Sequence, residues 1–195
     1  KTIYRCKLAA TAVSSICFHP SKPLLAVVVI RDRRIFFLDY RADEKIRIIG
    51  VSELDEGIAP NTIAWRGTEG MELLVGTHSG DLLEIVAPAP AIKGDLTYLA
   101  NANVPKRDLA ALGIQPISIL ATGEVDGSQQ NLFVASADTK NWCQYTLKSA
   151  TRKLQMQPST KLSCHERGIL CTAVHNVDPE TQLVVTGGQD GAICI

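Results

Sequence analysis

A chain of 195 residues can bury one substantial core, and a make-up of 46% apolar and 21% charged residues is that of a globular protein. Twenty Lys and Arg offset twenty Asp and Glu, so the formal net charge is zero and the basic footprint of a nucleic-acid-binding chain is missing. No apolar run reaches the roughly 20 residues that cross a bilayer, and residues 1–6 lack a signal-peptide pattern, so any targeting segment is expected outside this stretch.

Four segments share one order of elements: a short apolar strand, a turn, a strongly apolar strand ending in small residues, a tight turn and an alternating strand. The first has Val13-Ser-Ser-Ile-Cys-Phe-His-Pro20, an apolar strand at 24–30, a turn at Arg31-Asp32-Arg33 and a strand at 34–39. Asp32 interrupts the basic residues Arg31, Arg33 and Arg34, which predicts a solvated hairpin rather than a phosphate site. A fourth strand is predicted at 45–50, and the acidic run Glu53-Leu-Asp55-Glu56 is expected in a solvated loop.

The second segment has strands at 61–65 and 72–77, the turn His78-Ser79-Gly80 and a strand at 81–86. Its fourth strand is placed at 96–102, and 108–112 is expected to form a single helical turn. The third has strands at 116–121, 131–137 and 142–147, a polar turn at 138–140 and a fourth strand at 152–157. The fourth has strands at 169–175 and 182–187, the turn Gln189-Asp190-Gly191, and a last strand from Ala192 onward. Residues 2–8 are read as a strand left over from an upstream unit. The central apolar strands, marked by Leu25, Leu74, Leu132 and Leu183, recur at intervals longer than the ~40–45 residues of a compact repeat. The surplus is assigned to loops such as 87–94 and 123–130, because stacked units tolerate insertions there. Imperfect alternation at 34–38 and 81–85 is that of strands covered on both faces.

These segments resemble WD40 repeats, from about residue 13 to 195. The fourth carries the likeness best. Cys164-His165-Glu166-Arg167-Gly168-Ile169 matches the family's Gly-His-x-x-x-Val opening, with Cys164 in place of glycine. Leu183-Val-Val-Thr-Gly-Gly-Gln-Asp190-Gly-Ala-Ile-Cys-Ile195 matches the central strand and hairpin up to the point where Trp-Asp would begin. The resemblance implies a structural hydrogen-bonded network of His165, Thr186 and Asp190, with the imidazole bonded to both partners. A catalytic reading of the same three residues is the less favoured one. Segments one to three, with Phe18-His19-Pro20, Ile63-Ala64-Trp65 and degenerate hairpins, do not repeat that network and are expected to depend on apolar packing. A narrower likeness lies in Leu73-Leu74-Val75-Gly76 and Gly80-Asp81-Leu82-Leu83-Glu84-Ile85-Val86-Ala87-Pro88, which is similar to blades of large cilia- and flagella-associated WD-repeat proteins.

Other chemistry has little support in the residues. Phosphate loop, dinucleotide-binding glycine motif, nucleophile elbow and zinc-protease helix are all missing, so no catalytic, cofactor-binding or metal site is assigned and no cofactor is expected. Cys164, His165, Cys171 and His175 are metal-type residues. Cys171 and His175 share one strand face but stand about 13 Å apart at strand rise, too far for one ion. His19 and His78 are read as turn or surface histidines. Trp65 and Trp142 are read as plugs between units, Trp142 being the more exposed. The six cysteines are scattered singly rather than in a disulfide framework, which points to a reducing compartment.

The expected fold class is therefore all-β: a WD40-type β-propeller with about four blades, at 9–50, 58–104, 113–158 and a truncated 162–195, within a larger ring. The expected function is a non-catalytic scaffold for protein–protein contacts in a large intracellular assembly, cytoplasmic and, by the narrower likeness, in the ciliary or flagellar axoneme beside tubulin- and dynein-associated proteins. The alternatives are a general WD40 adaptor of ubiquitin-ligase or vesicle-coat type and a propeller hydrolase. Neither nucleic acid, membrane insertion nor a small-molecule substrate is expected. The long stretches 49–60, 87–112 and 147–162 are the expected docking surface.

Overall fold

The computed structural model describes residues 7–41, 46–67, 70–88, 106–112, 116–126, 129–138, 140–148, 154–156, 162–178 and 181–195. Every regular element among them is a strand.

Four antiparallel sheets follow one another along the chain. The first contains β1 (Val13–Phe18), β2 (Leu24–Val29), β3 (Arg34–Asp39) and β4 (Arg47–Glu53). The second contains β5 (Pro60–Trp65), β6 (Glu72–Thr77), β7 (Asp81–Val86) and β8 (Lys106–Ala111). The third contains β9 (Ile119–Asp126), β10 (Gln129–Ala135), β11 (Asn141–Lys148) and, side by side along the outer edge of β11, the short β12 (Leu154–Met156) and β13 (Leu162–Ser163). The fourth contains β14 (Ile169–Asn176), β15 (Gln182–Gly188) and β16 (Ile193–Cys194). Each sheet is a meander in chain order, and the first strands lie against one another in the series β1, β5, β9, β14. The sheets are thus blades arranged about a line of inner strands.

The near-continuous apolar runs of the central strands follow from this stacking. Successive side chains of a strand point to opposite faces, and here both faces are covered. In β2, Ala26 and Val28 pack toward the second blade, whereas Val27 and Val29 face the other way, onto Phe36, Leu38 and the chain at Leu8 and Ala9. In β6, Leu73 and Val75 join the core shared with blade one, and Leu74 the core shared with blade three. In β10, Leu132 and Val134 face blade two, and Phe133 and Ala135 face blade four. A one-residue slip in any of these strands would exchange its two cores. The flanking sheets leave apolar side chains in solvent, among them Ile16 and Phe18 of β1 and Leu170 and Ile193 of blade four.

Several expectations need correction. Residues 108–112 do not form a helical turn; 108–111 belong to β8, which pairs with β7 from Asp81↔Ala111 to Ile85↔Lys106. A lone helical turn fixes three residues for one hydrogen bond, while the open edge of β7 offers a whole ladder. The strand expected at 96–102 lies outside the described residues, as does most of 2–8, of which Lys7 and Leu8 are not in a strand. The loop expected at 123–130 is largely strand, since β9 and β10 stay paired out to Asp126↔Gln129. Residue Glu53 is not in a loop but ends β4, with its carboxylate on Arg34 at 3.1 Å, and Leu54 beside it is buried in the core of the first two blades. The proposed docking stretch 49–60 is therefore half sheet.

Trp142 is not exposed on a rim. It is 9% accessible and packs against Phe133 with ring centroids 5.5 Å apart. Trp65 is also buried, and its indole N–H donates to the Cys17 carbonyl of the neighbouring blade at 3.0 Å. His19 is not a surface histidine either. Its Nδ1 accepts the Ser21 and Lys22 backbone N–H groups, so Nε2 carries the proton and donates to the Gly70 carbonyl of blade two at 2.6 Å. His78 is exposed in its turn, as expected.

Candidate functional site

The crossover from blade three to blade four builds a dense polar cluster outside the ladders. After β13 the chain turns through Cys164 and His165 before entering β14. The His165 ring is buried, and Nδ1 lies 3.2 Å from Asp190 Oδ1 and Nε2 2.9 Å from Thr186 Oγ1. An ionised carboxylate can only accept, so Nδ1 carries the ring proton and Nε2 accepts from the Thr186 hydroxyl. The sequence-predicted trio is thus brought together by three elements: the crossover, β15 and the β15–β16 turn.

Asp190 also anchors the backbone. Its Oδ2 accepts the Glu166 N–H at 2.7 Å and its Oδ1 the Ala192 N–H at 3.0 Å. These two bonds, ahead of the imidazole, hold the Asp190 carboxyl down at about 2. Gly191 follows with φ 78°, the left-handed conformation that makes glycine the easy choice in this hairpin. Gly188 lies under the His165 ring and the Asp190 carboxylate, where any Cβ would collide with both. The polar side-chain atoms of the trio are thus engaged in holding the crossover against the hairpin.

Blades one to three are built on apolar cores, and blades two and three add polar contacts of their own. In blade two, Thr77 Oγ1 accepts the Asp81 N–H at 2.9 Å, and the Ser79 hydroxyl donates to Asp81 Oδ2 at 2.6 Å. Deeper in the same blade, Arg66 and Glu84 form an ion pair at 2.6 Å with side chains 9% and 2% exposed. In blade three, Ser136 Oγ accepts the Asp138 N–H at 3.1 Å.

The two rims differ. One carries the turns between second and third strands: exposed Arg31 in blade one, His78 and Ser79 in blade two, Asp138 and Lys140 in blade three, and Gln189 in blade four. Neighbouring turns touch there, as the Gln189 amide donates to the Ala137 carbonyl at 3.1 Å. The opposite rim is tied by His19 to the Gly70 carbonyl and by the Asn131 amide, which donates to Gln182 Oε1 at 2.8 Å. Between blades three and four a small apolar cleft is lined by Ile119, Phe133, Trp142 and Val184, with Thr172 and Thr186 beside them.

The metal-type residues sort differently from their order in sequence. Cys171 and His175 are exposed on β14. Among the described residues, the group whose donor atoms converge is Cys164, His165 and Cys194, all within 4.8 Å of one another. Cys194 was missed because its contact with Cys164 depends on the β15–β16 register, and no local spacing signals it.

Residues 156–195 match the family described as WD domain, G-beta repeat. That match begins in the outer edge of blade three and ends just beyond β16, so the matched repeat straddles two blades. The fold is similar to that of the β-propeller domain of Myceliophteria thermophila Cps50 (Swd1), with a TM-score of 0.58, 17% identity, and coverage of 93% of this chain and 52% of that one. The chain thus spans about half the length of the solved propeller domain. No curated protein shows significant similarity to it. Sequence and fold thus agree on a WD-repeat match over residues 156–195 and a β-propeller arrangement of the four sheets.

Proposed function

We propose that this chain is part of a non-catalytic scaffold that binds other proteins through the rim bearing Arg31, His78, Asp138, Lys140 and Gln189. The observation that carries the reading is the contrast between that rim and the body. Four sheets are locked by shared cores and cross-blade hydrogen bonds, while the turns at one end remain exposed and vary in charge from blade to blade. Rigid bodies presenting variable loops are suited to recognition, and the mixed signs favour a protein surface over a polyanion. His165, Thr186 and Asp190 are occupied in structural bonds, which supports scaffolding over the hydrolase alternative.

The ciliary assignment rests on the likeness of 73–88 alone and names tubulin- and dynein-associated proteins as the first partners to test. The adaptor alternative names short peptide motifs gripped by the same rim. Co-purification of the full-length protein from ciliated cells, wild type against Arg31→Glu/Lys140→Glu, tests both levels. Partners lost from the rim variant, with its circular dichroism unchanged, support the scaffold; partners retained in full by that variant count against the rim. Tubulin and dynein subunits among the lost partners support the axonemal version, and their absence argues for the adaptor.

A further inference from the structure

We propose that Cys164, His165 and Cys194 form a zinc site that staples the last strand of blade four to the crossover from blade three.

The site is built by register. Thr186 of β15 lies opposite Cys194 of β16, and directly opposed residues in an antiparallel pair project to the same face. Thr186 already points at His165, so Cys194 does too. Its Sγ lies 3.9 Å from His165 Nδ1, and its thiol donates to the Cys164 carbonyl at 3.0 Å. The Cys164 thiol sits beside the same hydroxyl, 3.6 Å from Thr186 Oγ1. Two thiols and one imidazole are the donor set that zinc prefers over harder cations.

The spacing is close to what the ion requires. With Zn–S near 2.3 Å and Zn–N near 2.0–2.1 Å, a tetrahedral site separates sulfur from nitrogen by about 3.6 Å and the two sulfurs by about 3.8 Å. The three donors are within 4.8 Å of one another with no ion between them, so small side-chain rotations suffice. The fourth position falls to water or to the Asp190 carboxylate, whose Oδ1 is 3.2 Å from the same imidazole nitrogen. Cys164 is exposed and Cys194 partly so, which leaves a path for the ion.

The protons balance. Each thiol loses its proton to solvent as a Zn–S bond forms, and the imidazole stays neutral by carrying its proton on Nε2, where it donates to Thr186 Oγ1 while Nδ1 takes the metal. Asp190 gives up its bond from the imidazole but keeps those from Glu166 and Ala192. Two protons are released per ion, so affinity falls as the medium is acidified.

The test uses the full chain, reduced and stripped of metal, titrated with Co²⁺ as a spectroscopic stand-in and then with Zn²⁺ against a chromophoric chelator. The expected result is one ion per chain with a thiolate-to-cobalt charge-transfer band and tetrahedral d–d bands. Cys194→Ser should weaken binding by at least about tenfold, and Cys171→Ser, at an exposed cysteine outside the cluster, should leave it unchanged. Because His165 also supports the fold, Cys194→Ser is the deciding variant. Absence of the charge-transfer band in the reduced protein overturns the site, as does affinity that Cys194→Ser leaves intact.

Discussion

Arg66 Nη1 and Glu84 Oε2 meet at 2.6 Å inside blade two, the arginine just beyond β5 and the glutamate on β7. Glu84 is at the same time among the most completely buried side chains. Burying two charges costs several kcal/mol each, which close pairing offsets only when both partners are present. Glu84→Ala should therefore destabilise the chain by about 3–5 kcal/mol, because it strands a buried guanidinium. The double variant Arg66→Met/Glu84→Leu should recover most of that loss. Urea unfolding of the three proteins checks this, and a double variant as unstable as the single one would show that the charges themselves hold the blade.

The His165 network should behave as structure. His165→Ala removes two buried hydrogen bonds and leaves Thr186 without one partner, a loss of about 2 kcal/mol. Thr186→Val, close in shape, should cost about 1 kcal/mol. Thermal melts give both values, and hydrogen exchange should localise the opening to β14–β16.

Acid should act through Asp190. Its folded pKa of about 2 lies below its ordinary 3.8, so the folded state binds this proton less readily than the unfolded one. The contribution is complete above about pH 4 and is lost as pH falls toward 2. Asp190→Asn should melt below the wild type at pH 6, and the gap should close on approaching pH 2. Paired melting curves across that range read it out, and a pH-independent gap would contradict the assignment.

Gly168 should resist any side chain. It enters β14 against the carbonyl of Ala137 in the blade-three turn, and an added Cβ would overlap that oxygen. Gly168→Ala should cost about 1–3 kcal/mol by pushing the two blades apart. Gln189, whose amide donates to the same carbonyl, should show the displacement as an altered NMR shift.

Much of the architecture was readable before any coordinates. Strand–turn punctuation around Arg31–Arg33, His78–Gly80 and Gln189–Gly191, together with doubly apolar runs such as Leu73-Leu74-Val75, specifies strands packed on both faces. Such patterns are local, and a period of two assigns each side chain to a face without knowledge of the neighbour. The trio His165, Thr186 and Asp190 was legible because the repeat likeness places all three. The strand at 106–111 was not, since its signal is weak and the edge of β7 recruits it.

Which faces meet was decided only by the assembled sheets. His19 looks like a turn residue until Gly70 of the next blade brings its carbonyl alongside, and Trp142 looks like a rim residue until blade four closes over it. Arg66 meets Glu84, and Cys194 meets Cys164, across distances in sequence that carry no periodic mark. Alternation along a strand is set by backbone geometry and is therefore written in neighbouring residues. Contacts across strands and blades depend on register and on the angle of packing, which emerge only when every blade has a partner to bury its apolar face.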